Sequence, residues 1–261
     1  MNLFDKEERI IDYFQFLEND KILLSPNSLK INKIYKLVHD REKWNNWIDS
    51  SSKKELPPDF YNDKDKIMMD IMRIDDHAHY GKKGKIINPT NERESKFVKE
   101  LIKKDKKFKE IAEKGNLIVI PDSGLRGIAD HNYDFYINNF NRVISNHISK
   151  IDNYKSNHPN YKVVFFIFDE SSPYIECIGE ERPMFVGQGL YAHPHIWWND
   201  YNMVKILLNS KIDYVIWMAP FKHFENEKHI ELPMAVIFDV SKIRENRLRK
   251  YIPYEMESLE V

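Results

Sequence analysis

The feature that most constrains this chain is a set of short, continuously apolar runs separated by segments of helical periodicity. Residues 163–168 (VVFFIF) and 214–218 (YVIWM) contain no polar position at all. Such runs are typical of strands that are covered on both faces. Strands of this kind lie inside a sheet that has helices on both sides, so the chain is predicted to be an α/β protein.

The rest of the chain alternates between predicted strands and predicted helices. Further strands are predicted at residues 67–74 (IMMDIMRI), 85–87, 117–120 (LIVI) and 235–238 (AVIF). Helices are predicted at residues 88–115, 134–151 and 200–208. This alternation predicts a mixed central sheet flanked by helices.

The N-terminal part has a different pattern and is predicted to be a small helical region, residues 1–50. Its first apolar positions recur at helical spacing, namely Ile10, Ile11, Phe14 and Leu17. Ser25-Pro26 is predicted to start a second helix, with serine as the N-cap. The polar and proline-rich residues 51–62 are predicted to form a linker, which leaves residues 63–261 as the main α/β domain.

Composition excludes several classes of protein. A single cysteine, Cys177, excludes an intrachain disulfide framework and a cysteine-rich zinc site. The net charge of −1 excludes a strong overall field. No apolar run approaches the roughly 20 residues of a membrane helix, and the acidic N-terminus is unlike a signal peptide. We therefore expect a soluble, cytoplasmic protein with no membrane partner.

Acidic and basic side chains follow the predicted strands where each strand ends. The ends of parallel strands meet at one edge of a sheet, so these groups are expected to converge there. Clustered carboxylates bind Mg²⁺ or Mn²⁺, and a nearby lysine stabilises charge on a phosphoryl group. The predicted metal ligands are Asp76, Asp122, Asp169 and Glu170, with Glu170 and Lys222 also predicted to be catalytic. This pattern predicts a metal-dependent hydrolase of phosphodiester bonds, nuclease-like.

A nucleic acid is the partner that the charge pattern predicts. Residues 81–114 carry twelve basic side chains against six acidic ones, a local net charge of +6 that could follow a phosphate backbone. The alternative is the solvated face of a helix. Trp197 and Trp198 cannot share one face, so one indole could stack on a base, with core packing as the alternative.

Histidines offer a competing prediction. The pairs His77/His79 and His193/His195 each place two imidazoles on one face of an extended segment. Together they could bind zinc, which predicts a transition-metal hydrolase acting on a small molecule. His131 precedes a predicted helix and is a candidate general acid–base, while its neighbours Asp130 and Asn132 are candidate N-caps. A binding protein without catalysis is the third alternative, and the oligomeric state stays open.

Overall fold

The structure, a computed structural model, describes residues 7–50, 58–77, 79–80, 85–104, 107, 131–177, 185–186, 189–190, 193–225 and 231–259. The helices are α1 (Glu7–Phe16), α2 (Leu29–His39), α3 (Arg41–Trp44), α4 (Pro89–Lys104), α5 (Tyr133–Ile148), α6 (Ile151–Asn157) and α7 (Tyr201–Leu208). The strands of the largest sheet are β1 (Ile22–Ser25), β2 (Ile48–Asp49), β3 (Phe60–Asn62), β4 (Ile67–Ile74), β7 (Lys162–Asp169), β12 (Tyr214–Met218) and β15 (Ala235–Asp239). Short strands form smaller sheets: β5 (His79–Tyr80), β6 (Ile86–Ile87), β8 (Tyr174–Glu176), β9 (Phe185–Val186), β10 (Gly189–Leu190), β11 (His193–Pro194), β13 (Phe224–Glu225), β14 (Glu231–Leu232) and β16 (Met256–Ser258).

The central sheet is mixed, as predicted, and its described part has seven strands in the order β1-β15-β12-β7-β4-β3-β2. β7 pairs in parallel with β4 on one side and with β12 on the other. β15 runs antiparallel to β12, and β1 runs parallel to β15. The strands β4, β7 and β12 therefore end together at one edge, the upper edge, near Ile74, Asp169 and Met218. The strands β15 and β1 end at the opposite, lower edge, near Asp239 and Ser25.

The central strand β7 is buried on both faces, which confirms the prediction made from its apolar run. Phe165 and Ile167 lie in an apolar layer with residues of α5, α6 and α7. Phe166 and Phe168 lie in a second apolar layer with residues of α1 and α2. The fold is thus a sheet between two helical layers, and each face of the sheet has its own core.

The N-terminal region shares the sheet and the core with the rest of the chain. β1 lies beside β15 at one end of the sheet, and β2 lies beside β3 at the other end. Residues 60–62, predicted as linker, form β3. Residues 7–50 therefore contain strands as well as helices. Their strands β1 and β2 belong to the same sheet as the strands of the predicted main domain. Strands of two to four residues contain too few positions to reveal a period in the sequence.

Helix starts follow from capping side chains. Ser25 does not cap a helix, contrary to the prediction, because it ends β1. Instead Ser28 precedes α2, and its side-chain oxygen accepts a hydrogen bond from the backbone N–H of Ile31 at 3.3 Å. Asn132 caps α5 as predicted and accepts a hydrogen bond from the N–H of Phe135 at 3.2 Å.

Other predicted elements are matched in part. The predicted helix 134–151 corresponds to α5, which ends at Ile148, and α6 begins at Ile151 and continues beyond the predicted range. The predicted helix 88–115 corresponds to α4, which is described as far as Lys104. Phe97, an aromatic residue of α4, is 51% exposed. The predicted strand 117–120 lies outside the described residues.

Asp70 of β4 and Asp59, which immediately precedes β3, form a pair of neighbouring carboxyl groups, and Asp70 ties β4 to α5 and α6. Oδ2 of Asp70 lies 2.6 Å from Nδ1 of His147 and accepts a hydrogen bond from the hydroxyl of Tyr154 at 3.1 Å. Oδ2 of Asp59 accepts a hydrogen bond from the N–H of Ile71 at 2.7 Å. Burial, helped by the negative charge of Asp70, raises the pKa of Asp59 to about 8. Asp59 is therefore protonated at neutral pH and shares a hydrogen bond with Asp70.

This raised pKa predicts that stability falls as the pH rises. Between about pH 4 and pH 8 the folded chain holds a proton on Asp59 that the unfolded chain has lost, so each step up in pH favours unfolding. The variant Asp59→Asn stays neutral and should lose this dependence. Urea unfolding at pH 5 and pH 8 should show a drop of roughly 1–3 kcal/mol for the wild type and a smaller drop for the variant. The variant Asp12→Asn, at an exposed position, serves as the control. An equal change in the free energy of unfolding between pH 5 and pH 8 for all three proteins would contradict the prediction.

Candidate metal centre

Asp76 is the centre of the site at the upper edge of the sheet, two residues beyond β4, and its side chain is fully buried. One of its oxygens, Oδ2, is held by three neighbouring residues. Ser172 donates to it from its backbone N–H at 3.1 Å and from its hydroxyl at 2.9 Å. The hydroxyl of Tyr174 donates at 2.6 Å, and Nδ1 of His131 lies 3.0 Å away. These contacts fix the carboxylate in one orientation.

The second oxygen of Asp76, Oδ1, is buried and has no hydrogen-bond partner among the described residues. Nε2 of His77 lies 3.8 Å from this oxygen, and the rings of His77 and His131 are 4.7 Å apart between centroids. Ligand atoms of Asp76, His77 and His131 all lie within 4.8 Å of one another. This group, which we call the Asp–His–His group, could hold a metal ion.

Three segments of the chain bring the Asp–His–His group together. His77 lies three residues beyond the end of β4, and Oδ1 of Asp75 accepts a hydrogen bond from its N–H at 3.2 Å. His131 immediately precedes the N-cap of α5, and that helix is tied to the end of β4 by a hydrogen bond from Asn139 to the carbonyl of Asp75 at 3.0 Å. Tyr174 begins β8, whose sheet also includes β11 and β16. The site therefore depends on the tertiary fold and not on any one motif.

The carboxyl group of Asp76 is ionised although it is buried. Burial would by itself raise its pKa, but hydrogen bonds and charges from His131, His77 and Tyr174 outweigh that effect and lower the pKa from 3.8 to about 2. The group thus combines one carboxylate with two imidazoles. Nitrogen and oxygen ligands in this combination bind zinc and related transition metals.

Asp169 and Lys222 form a buried ion pair next to the Asp–His–His group. Nζ of Lys222 lies 3.1 Å from Oδ2 of Asp169 and donates to the hydroxyl of Tyr136 at 2.7 Å. The same Oδ2 accepts hydrogen bonds from Tyr136 at 2.5 Å and from Nε1 of Trp217 at 3.0 Å, and Oδ1 accepts two from Ser171. Burial lowers the pKa of Lys222, and the charge of Asp169 opposes this shift. Asp169, predicted as a metal ligand, is here the counterion of Lys222, because protein donors occupy both of its oxygens.

Glu170, the other acid after β7, is also engaged by the protein. Arg73 donates to its two oxygens at 2.8 and 2.9 Å in a forked ion pair. This pair explains why Glu170 is not in the Asp–His–His group although it was predicted as a ligand and as a catalytic residue. Asp122, the fourth predicted carboxylate ligand, lies outside the described residues.

The two His-X-His pairs are not assembled into one site within the described part of the chain. His195 is buried with Nε2 2.9 Å from Oδ2 of Asp200, which also accepts a hydrogen bond from Tyr133. Burial lowers the pKa of His195. His193 lies exposed on β11, and of His79 the structure describes only the backbone, in β5. Among the predicted histidine ligands whose side chains the structure describes, His77 alone belongs to the Asp–His–His group.

Sequence reasoning missed the residues that orient Asp76. Ser172 and Tyr174 carried one weak signal, a pair of hydroxyl side chains just beyond the end of a buried strand. His131 was predicted as a general acid–base, and its place beside Asp76, 55 positions earlier in the sequence, follows from no local pattern. Trp197, by contrast, is fully buried and Trp198 is half-buried against it, so core packing accounts for much of this pair.

No protein family, curated protein or solved structure matches the chain. Within the described ranges, none of the helices has both the length and the apolar character needed to cross a membrane.

Proposed function

We propose that this protein is a metal-dependent hydrolase of phosphodiester bonds, nuclease-like, whose ion is held by Asp76, His77 and His131. The observation that carries the proposal is the buried Oδ1 of Asp76, which faces an imidazole and lacks a hydrogen-bond partner among the described residues. An unsatisfied, charged oxygen inside a protein is costly. A bound cation would remove that cost, since metal coordination uses the lone pairs that hydrogen bonds leave open.

The ligand atoms favour a transition metal such as zinc over Mg²⁺, because imidazole nitrogens suit zinc and Mg²⁺ prefers oxygen. Three protein ligands are also the usual number in catalytic zinc sites, where a further position is kept for water. An ion in this position supplies an activated water at neutral pH and polarises a phosphoryl oxygen.

The chain's own residues prepare the carboxylate for this role. Ser172 and Tyr174 hold Oδ2 of Asp76, which leaves Oδ1 directed at His77. Ser172 is in turn positioned by its neighbour Ser171, whose N–H and hydroxyl are bonded to Asp169. Hydrogen bonds of this kind orient metal ligands and strengthen their binding. The buried Asp169–Lys222 pair would therefore support the site through Ser171 and Ser172 without itself being a ligand.

A basic helix beside the site supports a polyanionic substrate. The side chain of Asn88, which immediately precedes α4, donates to Oδ2 of Asp75 at 3.4 Å, so α4 begins next to the neighbour of Asp76. Four lysines of α4 are exposed, namely Lys96, Lys99, Lys103 and Lys104. Lysines spaced along a helix attract the phosphates of a nucleic acid. We therefore propose a nucleic acid as the substrate class.

Metal content provides the direct test of this proposal. The purified wild type should hold about one transition-metal ion per chain, and His131→Gln should lose most of it. His147→Gln is a matched control, because His147 lies on α5, the helix that follows His131, and also contacts an aspartate, Asp70, but is not in the Asp–His–His group. Its metal content should equal that of the wild type.

The activity test uses bis(p-nitrophenyl) phosphate and single- and double-stranded DNA and RNA. Hydrolysis should require the metal, fall with His131→Gln and persist with His147→Gln. A chain that binds no metal, or that hydrolyses these substrates equally well without His131, contradicts the proposal. If the protein hydrolyses small-molecule esters but none of these phosphodiester substrates, the result would instead favour a small-molecule hydrolase.

A further inference from the structure

A cavity of about 190 Å³ lies at the lower edge of the sheet, away from the Asp–His–His group. Ser25 at the end of β1 and Phe238 and Asp239 at the end of β15 form part of its wall. β15 runs antiparallel to β12, so it ends where β12 and β7 begin. The cavity and the proposed metal site thus lie at opposite edges of the sheet. A ligand of the cavity can therefore be proposed independently of the metal site.

Three cationic side chains surround this cavity: Lys242, Arg244 and Arg247. All three are exposed, and none forms an ion pair within the described part of the chain. The neighbouring Arg249 differs, because it is paired with Glu176.

Acidic charge in the described wall comes from Asp239 alone. Its Oδ1 already accepts two hydrogen bonds from Ser241, from the N–H at 3.0 Å and from the hydroxyl at 2.6 Å. Three positive charges against one negative charge leave a concave surface that attracts an anion. Two arginines on one wall also suit the geometry of a phosphate, which accepts forked hydrogen bonds from guanidinium groups.

An aromatic wall accompanies these cations. Trp198 and Phe238 both line the cavity. Trp198 is held in place by the fully buried Trp197, with the two rings nearly perpendicular and 4.5 Å apart between centroids. An indole fixed in this way can pack against a flat ring without losing much side-chain freedom.

We propose that this cavity binds a nucleoside monophosphate unit, with the phosphate at Lys242, Arg244 and Arg247 and the base against Trp198. The unit is either a free mononucleotide or the terminal nucleotide of a strand, since both present the same chemistry. A volume of about 190 Å³ is smaller than the roughly 300–1,000 Å³ of pockets that enclose larger ligands, so part of the nucleotide stays in solvent. That exposed side leaves room for a strand to continue.

Titration calorimetry on the full chain tests this site, with adenosine 5′-monophosphate, adenosine, inorganic phosphate and a 5′-phosphorylated trinucleotide as probes. The variants are the double change Arg244→Gln/Arg247→Gln, the single change Trp198→Leu, and Lys250→Gln as the control, an exposed cation that does not line the cavity. Melting temperatures establish that each variant is folded.

The double variant should weaken binding of the monophosphate by at least tenfold and reduce its dependence on salt. Trp198→Leu should weaken binding of the monophosphate about tenfold but leave binding of inorganic phosphate unchanged, and Lys250→Gln should change neither. If only the trinucleotide binds, and the same variants weaken its binding, the result would support the site and show that its ligand is the end of a strand. The proposal is overturned if neither nucleotide binds, if phosphate binds as tightly as the monophosphate, or if the double variant binds as well as the wild type.

Discussion

Lys222→Met is expected to lower the free energy of unfolding by about 3–5 kcal/mol, the range measured when one partner of a buried ion pair is removed. Lys222 and Asp169 are both almost fully buried, and their charged groups are 3.1 Å apart. Without the ammonium group, the carboxylate of Asp169 keeps its bonds from Tyr136, Trp217 and Ser171 but loses its compensating charge. Urea unfolding at neutral pH measures the loss.

The double variant Asp169→Asn/Lys222→Met is the control for this prediction. It removes both charges and keeps the shape of the carboxylate side chain, so it should recover a large part of the lost stability. The exposed ion pair of Lys211 and Asp152 offers a comparison, since Lys211→Met should cost less than about 1 kcal/mol. A cost for Lys222→Met as small as that for Lys211→Met would show that the buried pair contributes little.

Asp76→Asn is expected to reduce the proposed phosphodiesterase activity by about 10³-fold, equal to about 4 kcal/mol of transition-state stabilisation. Asparagine has nearly the same shape and keeps an oxygen for the hydrogen bonds from Ser172 and Tyr174. It removes the negative charge that would face the ion, so metal binding and hydrolysis should fall together. Metal content and initial rates, measured on the same preparations, check both effects.

Asp70→Asn is the matched control for Asp76→Asn, because Asp70 also contacts a histidine, His147, but lies outside the Asp–His–His group. Its metal content and rate should equal those of the wild type. Ser172→Ala should have an intermediate effect and weaken metal binding about 10–100-fold, as expected for a residue that only orients a ligand. Equal activity of Asp76→Asn and the wild type would remove Asp76 from the reaction.

The interior of the sheet could be predicted from the sequence, because its strands are long and continuously apolar. The strands β4, β7, β12 and β15 were each predicted within a residue or two. The edge strands β1 and β2 were not predicted, because strands this short show no recognisable alternation of apolar and polar residues. The direction of β15 could not be read from the sequence either, because an apolar run is the same in both directions.

The site was harder to predict than the sheet. The rule that polar groups collect where parallel strands end predicted that Asp76, Asp169 and Lys222 lie at one edge of the sheet, and the structure has them there. It could not separate a carboxylate with an open oxygen, Asp76, from one that is saturated by donors, Asp169. That distinction depends on Tyr136, Trp217 and other partners far away in the sequence, and only the folded chain brings them together.

The reversed direction of β15 has a consequence for the molecule as a whole. If every strand of the sheet ran the same way, the loops that leave the strands would all gather on one side. Because β15 and β1 are reversed relative to β12, the chain instead presents strand-end loops on two opposite sides. The five residues of β12 span about 15 Å between them, so two small ligands bound on the two sides would not collide. Simultaneous occupancy is therefore sterically permitted, and the short helical turn Trp197–Asn199 links the two sides, because Trp198 and Asn199 line the cavity while the ring of Trp197 lies 5.7 Å from Nζ of Lys222.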